Sequence, residues 1–122
     1  MKLSRGNIVL CKVPMPTAEL KEFKFKLRPG LIVSKDFNNK RLDDLIIAIC
    51  TSNISRSHEP TQYLIYGDEI VQAGIKVPSV VKCESLLTVN KSMIIKVLGM
   101  LSVNGIYKVN ECLKDALELD RQ

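Results

Sequence analysis

The sequence predicts a mainly β domain, built from many short, mostly antiparallel strands with a helix near the C-terminus. Apolar runs are short and end at proline, glycine or clusters of polar residues, which is typical of strands joined by turns. Helical spacing of apolar residues occurs towards the end of the chain. A chain of 122 residues, 46% hydrophobic and 25% charged, has the size and composition of one globular domain, so we expect residues 1–122 to form a single unit.

The first third of the chain predicts two strands separated by a long connection. Asn7 to Val13 forms the first strand, and the segment Pro-Met-Pro at 14–16 ends it, because proline cannot donate to a central ladder. We expect residues 14–27 to be a connection and Pro29 to Ser34 to be the second strand. The segment 36–39, Asp-Phe-Asn-Asn, predicts a turn.

The middle of the chain predicts the central strand of the sheet. Asp44 to Cys50 is continuously apolar after its first residue, as expected of a strand covered on both faces. The polar segment from Asn53 to Pro60 predicts a loop. Thr61 to Tyr66 predicts a fourth strand, which ends at a Gly-Asp turn.

The last third predicts three further strands and the helix. Val77 to Cys83 and Leu86 to Val89 are two strands split by a polar corner, and Ile94 to Leu98 is the next. Ser102 suits the N-cap of a helix that runs to about Leu119. Five apolar residues of that helix share one face: Ile106, Val109, Leu113, Ala116 and Leu117.

The charge and cysteine content limit the function classes. Residues 1–41 carry ten Lys or Arg against three acids, which favours a polyanionic or acidic partner, although a solvated basic surface explains the charge equally well. The four cysteines lack the paired spacing of a zinc site and predict reduced core residues. The longest apolar run, Leu45 to Cys50, is too short for a membrane span, and the N-terminus lacks an apolar signal core. We therefore expect a cytoplasmic protein.

Polar side chains follow or precede two of the apolar runs. Arg28 comes just before the second predicted strand, and Thr51 and Ser52 come just after the central one. If these strands are neighbours, a guanidinium and two hydroxyls converge, and these groups bind phosphate well. The alternatives are a surface arginine and a pair of hydroxyls that cap a turn. His58, the only histidine, is expected to be a surface loop residue.

Four segments in a fixed order resemble the MazF/PemK family of toxin endoribonucleases from bacterial toxin–antitoxin pairs. They are Gly6–Leu10, Lys26–Ser34 with its Arg-Pro pair, Ile49–Ser52 with its Thr-Ser pair, and Ser79–Glu84. The resemblance extends from about residue 5 to residue 119. It implies a compact SH3-like barrel with a C-terminal helix, in agreement with the strand pattern.

The resemblance also implies an activity and its partners. Family members cleave single-stranded RNA without a metal or other cofactor, by attack of a 2′-hydroxyl that leaves a 2′,3′-cyclic phosphate and a 5′-hydroxyl. They work as homodimers, and a cognate acidic antitoxin blocks the RNA groove. Residue by residue, Arg28 matches a catalytic arginine, and Thr51 and Ser52 match the pair that binds the scissile phosphate.

Two further sites follow less directly from the resemblance. Lys82 and Glu84 stand where some members have an Arg and an Asp that are implicated in proton transfer, so Lys82 is a candidate RNA contact and Glu84 a candidate general base. The alternative is an exposed ion pair between strands. The segment 21–26 alternates charge and aromatic rings, which is typical of single-strand RNA binding: Lys21, Phe23, Lys24, Phe25 and Lys26. The alternative for it is a hairpin arm whose phenylalanines are core residues.

Two other functions fit the same fold. One is a CcdB-type toxin that binds gyrase, although such toxins depend on a tryptophan near the C-terminus and this chain has no Trp. The other is a non-catalytic relative that binds only RNA or an antitoxin, which the Lys82 and Glu84 substitutions leave open.

Overall fold

The computed structural model of the protein describes residues 1–15 and 24–119. Its elements in chain order are strands β1 (Asn7–Met15) and β2 (Lys24–Ile32), helix α1 (Asp36–Arg41), strands β3 (Asp44–Thr51) and β4 (Gln62–Ile65), helix α2 (Glu69–Ala73), strand β5 (Ser79–Asn90), one 3-10 turn (Lys91–Met93), strand β6 (Ile94–Met100) and helix α3 (Val103–Leu117). The strands form one antiparallel sheet in the order β4-β5-β3-β2-β1-β6. The predicted mainly β fold with a C-terminal helix is confirmed.

The core lies on both faces of this sheet, since neighbouring residues of a strand point to opposite sides. Ile8 and Leu31 pack on one face with the inner side of α3, whereas Val9 and Ile32 pack on the other face. β3 lies between β2 and β5, so its predicted central position is confirmed, whereas its predicted cover on both faces is incomplete because Ile46 is 42% exposed. Cys11, Cys50 and Cys83 are buried free thiols, and burial raises their pKa values to about 11, 12 and 12.

The predicted connection over residues 14–27 is wrong at both ends. β1 continues to Met15 and β2 starts at Lys24, so that Pro14 lies opposite Phe25. Proline is tolerated here because β1 pairs with β6 only as far as Cys11, and the rest of β1 is an edge on that side. The same reason admits Pro29 inside β2, since β3 pairs only with residues 30–32 of β2.

The structure corrects three further local predictions. The residues predicted as a turn at 36–39 begin α1, and α2 was not predicted at all. Gly74 ends α2 with φ +74°, and a Cβ there would lie 1.9 Å from the carbonyl oxygen of Leu98, so α2 sits directly against β6. The two strands predicted at 77–83 and 86–89 are one strand, β5.

The polar corner predicted to separate two strands is a bulge within β5. Ala48 pairs with Leu86, whereas the next residue of β3, Ile49, pairs with Lys82. Residues 83–85 of β5 therefore have no partner on β3. A bulge re-aims the side chains that it contains, and Glu84 is one of them.

Helix α3 begins as predicted. The Ser102 side chain accepts a hydrogen bond from the Gly105 amide at 2.9 Å, which is the expected N-cap contact. The predicted apolar face packs on the core except for Leu117, which is 52% exposed in the last turn. No helix among the described residues is long and apolar enough to cross a membrane.

Candidate active site

One cavity beside β2 and β3 brings three predicted site residues together. Arg28 from β2, Thr51 at the end of β3 and Ser52 directly after it line one open cavity of about 440 Å³. The antiparallel neighbours β2 and β3 place these residues at the same edge, as the sequence pattern anticipated. A guanidinium and two hydroxyls thus surround one space that is large enough for a phosphodiester and part of a nucleoside.

Two lysines that sequence reasoning missed line the same cavity. Lys76 comes from the connection between α2 and β5, and Lys96 comes from β6, where it pairs with Leu10. Together with Arg28 they give the cavity three cationic residues, and none of its described lining residues is acidic. Only the long-range pairing of β6 with β1 brings Lys96 here, so the local sequence carries no signal for it. The electrostatics of the cavity favour a polyanion.

Other lining residues of this cavity are apolar. Leu10, Leu27 and Pro29 form part of the wall from the β1–β2 pair, and Val77 and Leu98 continue it. Apolar surface of this kind suits the face of a sugar or a base, whereas the cations suit the phosphate between them. The cavity therefore combines a cationic surface that complements phosphate with an apolar surface that complements sugars and bases.

The Thr51 hydroxyl already has one partner. Its oxygen accepts a hydrogen bond from the Asn53 amide at 3.2 Å, so the turn-capping alternative is realised in the structure. A hydroxyl also has a donor hydrogen and a second lone pair. Capping thus fixes the orientation of Thr51 and leaves its donor for a ligand in the cavity.

A second, smaller cavity adjoins the first and shares Thr51 with it. Its volume is about 110 Å³, and its lining residues are all polar or charged: Thr51, Asn53, Ser55, Arg56, Gln62 and Lys82. The predicted RNA contact Lys82 thus lies beside the predicted phosphate site, on the other side of Thr51. Arg56 and Gln62 were not singled out by sequence reasoning.

Glu84 lies beside the small cavity and lines neither cavity. One of its carboxylate oxygens, Oε2, accepts hydrogen bonds from Arg56 Nη2 at 3.1 Å and from Gln62 Nε2 at 2.9 Å. Arg56 also forms an ion pair with Glu59, which raises the pKa of the guanidinium and lowers the pKa of the Glu59 carboxyl. Glu84 thus forms an ion pair, but with the loop residue Arg56 and not between strands as the alternative supposed. Its role as a general base stays a prediction.

The described part of the Lys-Phe segment belongs to β2. Lys24, Phe25 and Lys26 are exposed, and the Phe25 ring side is open to solvent, the residue being 51% exposed. The core alternative therefore does not hold for Phe25. It shares a strand face with Leu27, two residues on, which lines the larger cavity. Lys21 and Phe23 lie outside the described residues.

His58 is exposed in the loop before β4 and lines neither cavity, in agreement with its assignment as a surface residue. Among residues 1–15 and 24–119, no group of three or more His, Cys, Asp and Glu is placed to hold a metal ion.

Comparison with known proteins decides the family. Residues 4–117 match the model of the PemK-like, MazF-like toxins of type II toxin–antitoxin systems. The chain belongs to this toxin family. A comparison with curated protein sequences gives no significant match.

Solved structures with the same fold include MazF toxins. One is an endoribonuclease in complex with its cognate antitoxin from a Mycobacterial species, with 22% identity, 96% of each chain covered and a TM-score of 0.73. The MazE–MazF complex from Deinococcus radiodurans has 16% identity, 98% of each chain covered and a TM-score of 0.75. The Mycobacterium tuberculosis toxin MazF-mt6 has 20% identity over 92% of this chain and 96% of that chain, with a TM-score of 0.71. The predicted family is confirmed.

Proposed function

We propose that this MazF-like toxin is an endoribonuclease that cleaves single-stranded RNA in the cytoplasm without a metal ion. The observation that carries the proposal is the larger cavity, where Arg28, Thr51 and Ser52 surround one space with two further cations and no acidic lining residue. Family membership and the endoribonucleases among the solved structures of this fold support it.

The proposed reaction is a transesterification within the RNA. The 2′-oxygen of one nucleotide bonds to the neighbouring phosphorus, and the bond from phosphorus to the 5′-oxygen breaks. The 2′-hydroxyl proton goes to a base, for which Glu84 is the candidate, and the leaving 5′-oxygen takes a proton, for which Arg28 is the candidate donor. The products carry a 2′,3′-cyclic phosphate and a 5′-hydroxyl.

Four of the predicted site residues have a place in this reaction. Arg28 offsets the charge that builds up on the phosphorane, as preorganised donors do in other phosphate and acyl transfers. Thr51 and Ser52 fix the scissile phosphate, and Lys82 contacts RNA on the far side of Thr51. The nucleophile belongs to the substrate and the cations supply the charge stabilisation, so the mechanism requires no metal.

The proposed partners are RNA, a second copy of the chain and a cognate acidic antitoxin. Lys24 and Lys26 are exposed on β2, the strand that also carries Arg28, and their positive charge would attract both RNA and an acidic antitoxin segment. Lys21 and Phe23 complete this predicted RNA-binding segment. The MazE–MazF complexes of the same fold support the antitoxin as a partner.

Cleavage of a long single-stranded RNA in the presence of EDTA tests this function. We expect cleavage with 2′,3′-cyclic phosphate and 5′-hydroxyl ends, whereas DNA and fully paired RNA stay intact. A substrate with one 2′-deoxynucleotide at a mapped cleavage site should resist at that site only. Cleavage that occurs only after addition of a divalent ion would overturn the mechanism, and a fully inactive protein would favour the binding-only alternatives.

A further inference from the structure

Two of the four cysteines meet where α3 packs on β5. Cys83 on β5 is a buried member of the core cluster on the α3 side of the sheet, and Cys112 on α3 packs against the same cluster. The two thiols are hydrogen-bonded to each other. Cys83 is 0% exposed, whereas Cys112 is only partly buried. The pair therefore combines one thiol that solvent reaches with a second that contacts it from the core.

The two thiols differ in their reactivity. Burial raises the pKa of both, that of Cys83 to about 12. The hydrogen bond between them raises the pKa of Cys83 further and lowers the pKa of Cys112, so Cys83 is the donor and Cys112 is the acceptor. An oxidant needs access to the sulfur and reacts with its thiolate form. Of the two thiols, Cys112 is thus the one that an oxidant attacks first.

The segment that carries Cys83 is supported by a strand on one side only. Residues 83–85 are the bulge of β5 and have no partner on β3. On the other side, the Cys83 amide donates a hydrogen bond to the Thr61 carbonyl oxygen at 3.0 Å. The sulfur atoms of a disulfide lie about 2.0 Å apart, so two hydrogen-bonded thiols must come closer before they bond. A bulge admits such a displacement more readily than a strand that is paired on both sides.

We propose that Cys83 and Cys112 are an oxidation site, at which a hydroperoxide converts the two thiols into a disulfide. With hydrogen peroxide, one oxygen atom is transferred to the Cys112 sulfur, which gives a sulfenic acid and releases one water. The Cys83 sulfur then bonds to the Cys112 sulfur, and the sulfenic hydroxyl leaves with the Cys83 proton as a second water. Two thiols and one hydrogen peroxide thus give one disulfide and two waters.

The disulfide joins α3 to a segment between two predicted site residues. Lys82, a candidate RNA contact, and Glu84, a candidate general base, stand on either side of Cys83 in β5. A displacement of about 1 Å in an active site can lower a rate by about a hundredfold. We therefore expect the oxidised protein to cleave RNA about ten- to a hundredfold more slowly than the reduced protein, and dithiothreitol to restore the rate. This effect on cleavage rests on the proposed function, whereas the oxidation site does not.

Mass spectrometry of the native protein after treatment with hydrogen peroxide tests the oxidation site. We expect the wild type to lose about 2 Da, the mass of two hydrogens, and a digest without reductant to contain the peptides of Cys83 and Cys112 joined to each other. Cys11 and Cys50 are the internal control. They also interact with each other, but both are buried, so they should remain free thiols that alkylate only after denaturation.

Two variants separate the two steps of the oxidation. In Cys83→Ala, the sulfenic acid of Cys112 has no second thiol to react with, so dimedone should trap it in larger amounts than in the wild type. Cys112→Ser should form neither the disulfide nor the dimedone adduct, and peroxide should leave its rate of RNA cleavage unchanged. A folded, peroxide-treated wild type without the joined peptides would overturn the oxidation site, as would a disulfide that uses Cys11 or Cys50 instead.

The same samples distinguish this oxidation site from the proposed function. If the reduced wild type cleaves no RNA, the proposed function fails, whereas the joined peptides of Cys83 and Cys112 still establish the oxidation site. A protein that contains the disulfide and cleaves RNA at the reduced rate would overturn the expected effect on cleavage.

Discussion

Replacement of Arg28 tests the charge stabilisation on which the proposed reaction depends. In the described part of the chain, the Arg28 side chain makes no hydrogen bond. Its backbone oxygen accepts a hydrogen bond from the Cys11 thiol. The residue is half-buried at the cavity wall and lies outside both core clusters. Arg28→Ala should therefore fold, with a change in unfolding free energy within about 0.5 kcal/mol.

The loss of rate follows from the charges that remain. A unit charge about 4 Å from a developing negative charge is worth about 4 kcal/mol at an effective dielectric constant of ~20. Lys76 and Lys96 stay in the cavity and offset part of this loss. We therefore expect Arg28→Ala to lower kcat by about a hundred- to a thousandfold, the range seen when one preorganised donor is removed.

Arg28→Lys separates charge from geometry. A lysine keeps the positive charge but lacks the planar fork, so it loses one of two parallel hydrogen bonds to a phosphate. We expect a loss on the order of tenfold, which corresponds to about 1.4 kcal/mol. Single-turnover cleavage of a fluorescent RNA measures both variants, and thermal denaturation establishes that they fold. Arg41→Ala is the control, because Arg41 is exposed on α1 and lines neither cavity. A folded Arg28→Ala protein that cleaves within threefold of wild type would refute the role assigned to Arg28.

Three further predictions concern separate parts of the site. Glu84→Gln should lower kcat by about a hundredfold or more if Glu84 is the general base, whereas a role limited to holding Arg56 predicts a smaller loss that Arg56→Ala reproduces. Phe25→Ala should leave the melting temperature unchanged, since Phe25 is 51% exposed. It should also change which sites are cleaved, because each base–aromatic stack is worth roughly 1–3 kcal/mol, and an unaltered set of cleavage sites would contradict stacking. In the native protein at pH 8, Cys50 should resist alkylation by iodoacetamide, because burial raises its pKa to about 12 and leaves almost no thiolate. Mass spectrometry measures the labelling, and rapid labelling of Cys50 would show that the core opens.

The sequence allowed the meeting of Arg28 with Thr51 to be predicted because Arg28 precedes one apolar run and Thr51 follows another, and antiparallel pairing of the two runs brings these positions together. The same reasoning placed β3 at the centre and Ser102 at the start of α3. This reasoning gave wrong strand boundaries at Pro14 and Pro29, because a proline predicts the boundary of a strand when only the local sequence is considered. Both prolines lie in stretches of strand that have a neighbour on one side only, and this fact depends on how far β6 and β3 extend.

The small cavity could not be predicted for a related reason. Gln62, Arg56 and Lys82 come from β4, the preceding loop and β5, and none of them stands out by its spacing. Their meeting depends on the bulge in β5, which shifts the pairing between Ala48 and Ile49 and turns Glu84 towards Arg56. Three unpaired residues within one strand have no local signature that distinguishes them from the end of a strand.

Thr51 lines both cavities, and this predicts that its loss affects the contacts that RNA makes in each of them. Thr51→Ala removes the hydroxyl proposed to fix the phosphate in the larger cavity and also the acceptor of the Asn53 amide, which holds the turn beside the small cavity. We expect Thr51→Ala to lower kcat/KM by about a hundredfold, whereas Thr51→Ser retains most of the activity. In the double variant Thr51→Ala/Lys82→Ala, the second substitution should then add less than it does alone, because residues that position one ligand are not independent. Strictly additive effects, measured as kcat/KM on matched RNAs in a double-mutant cycle, would show that the two cavities act separately.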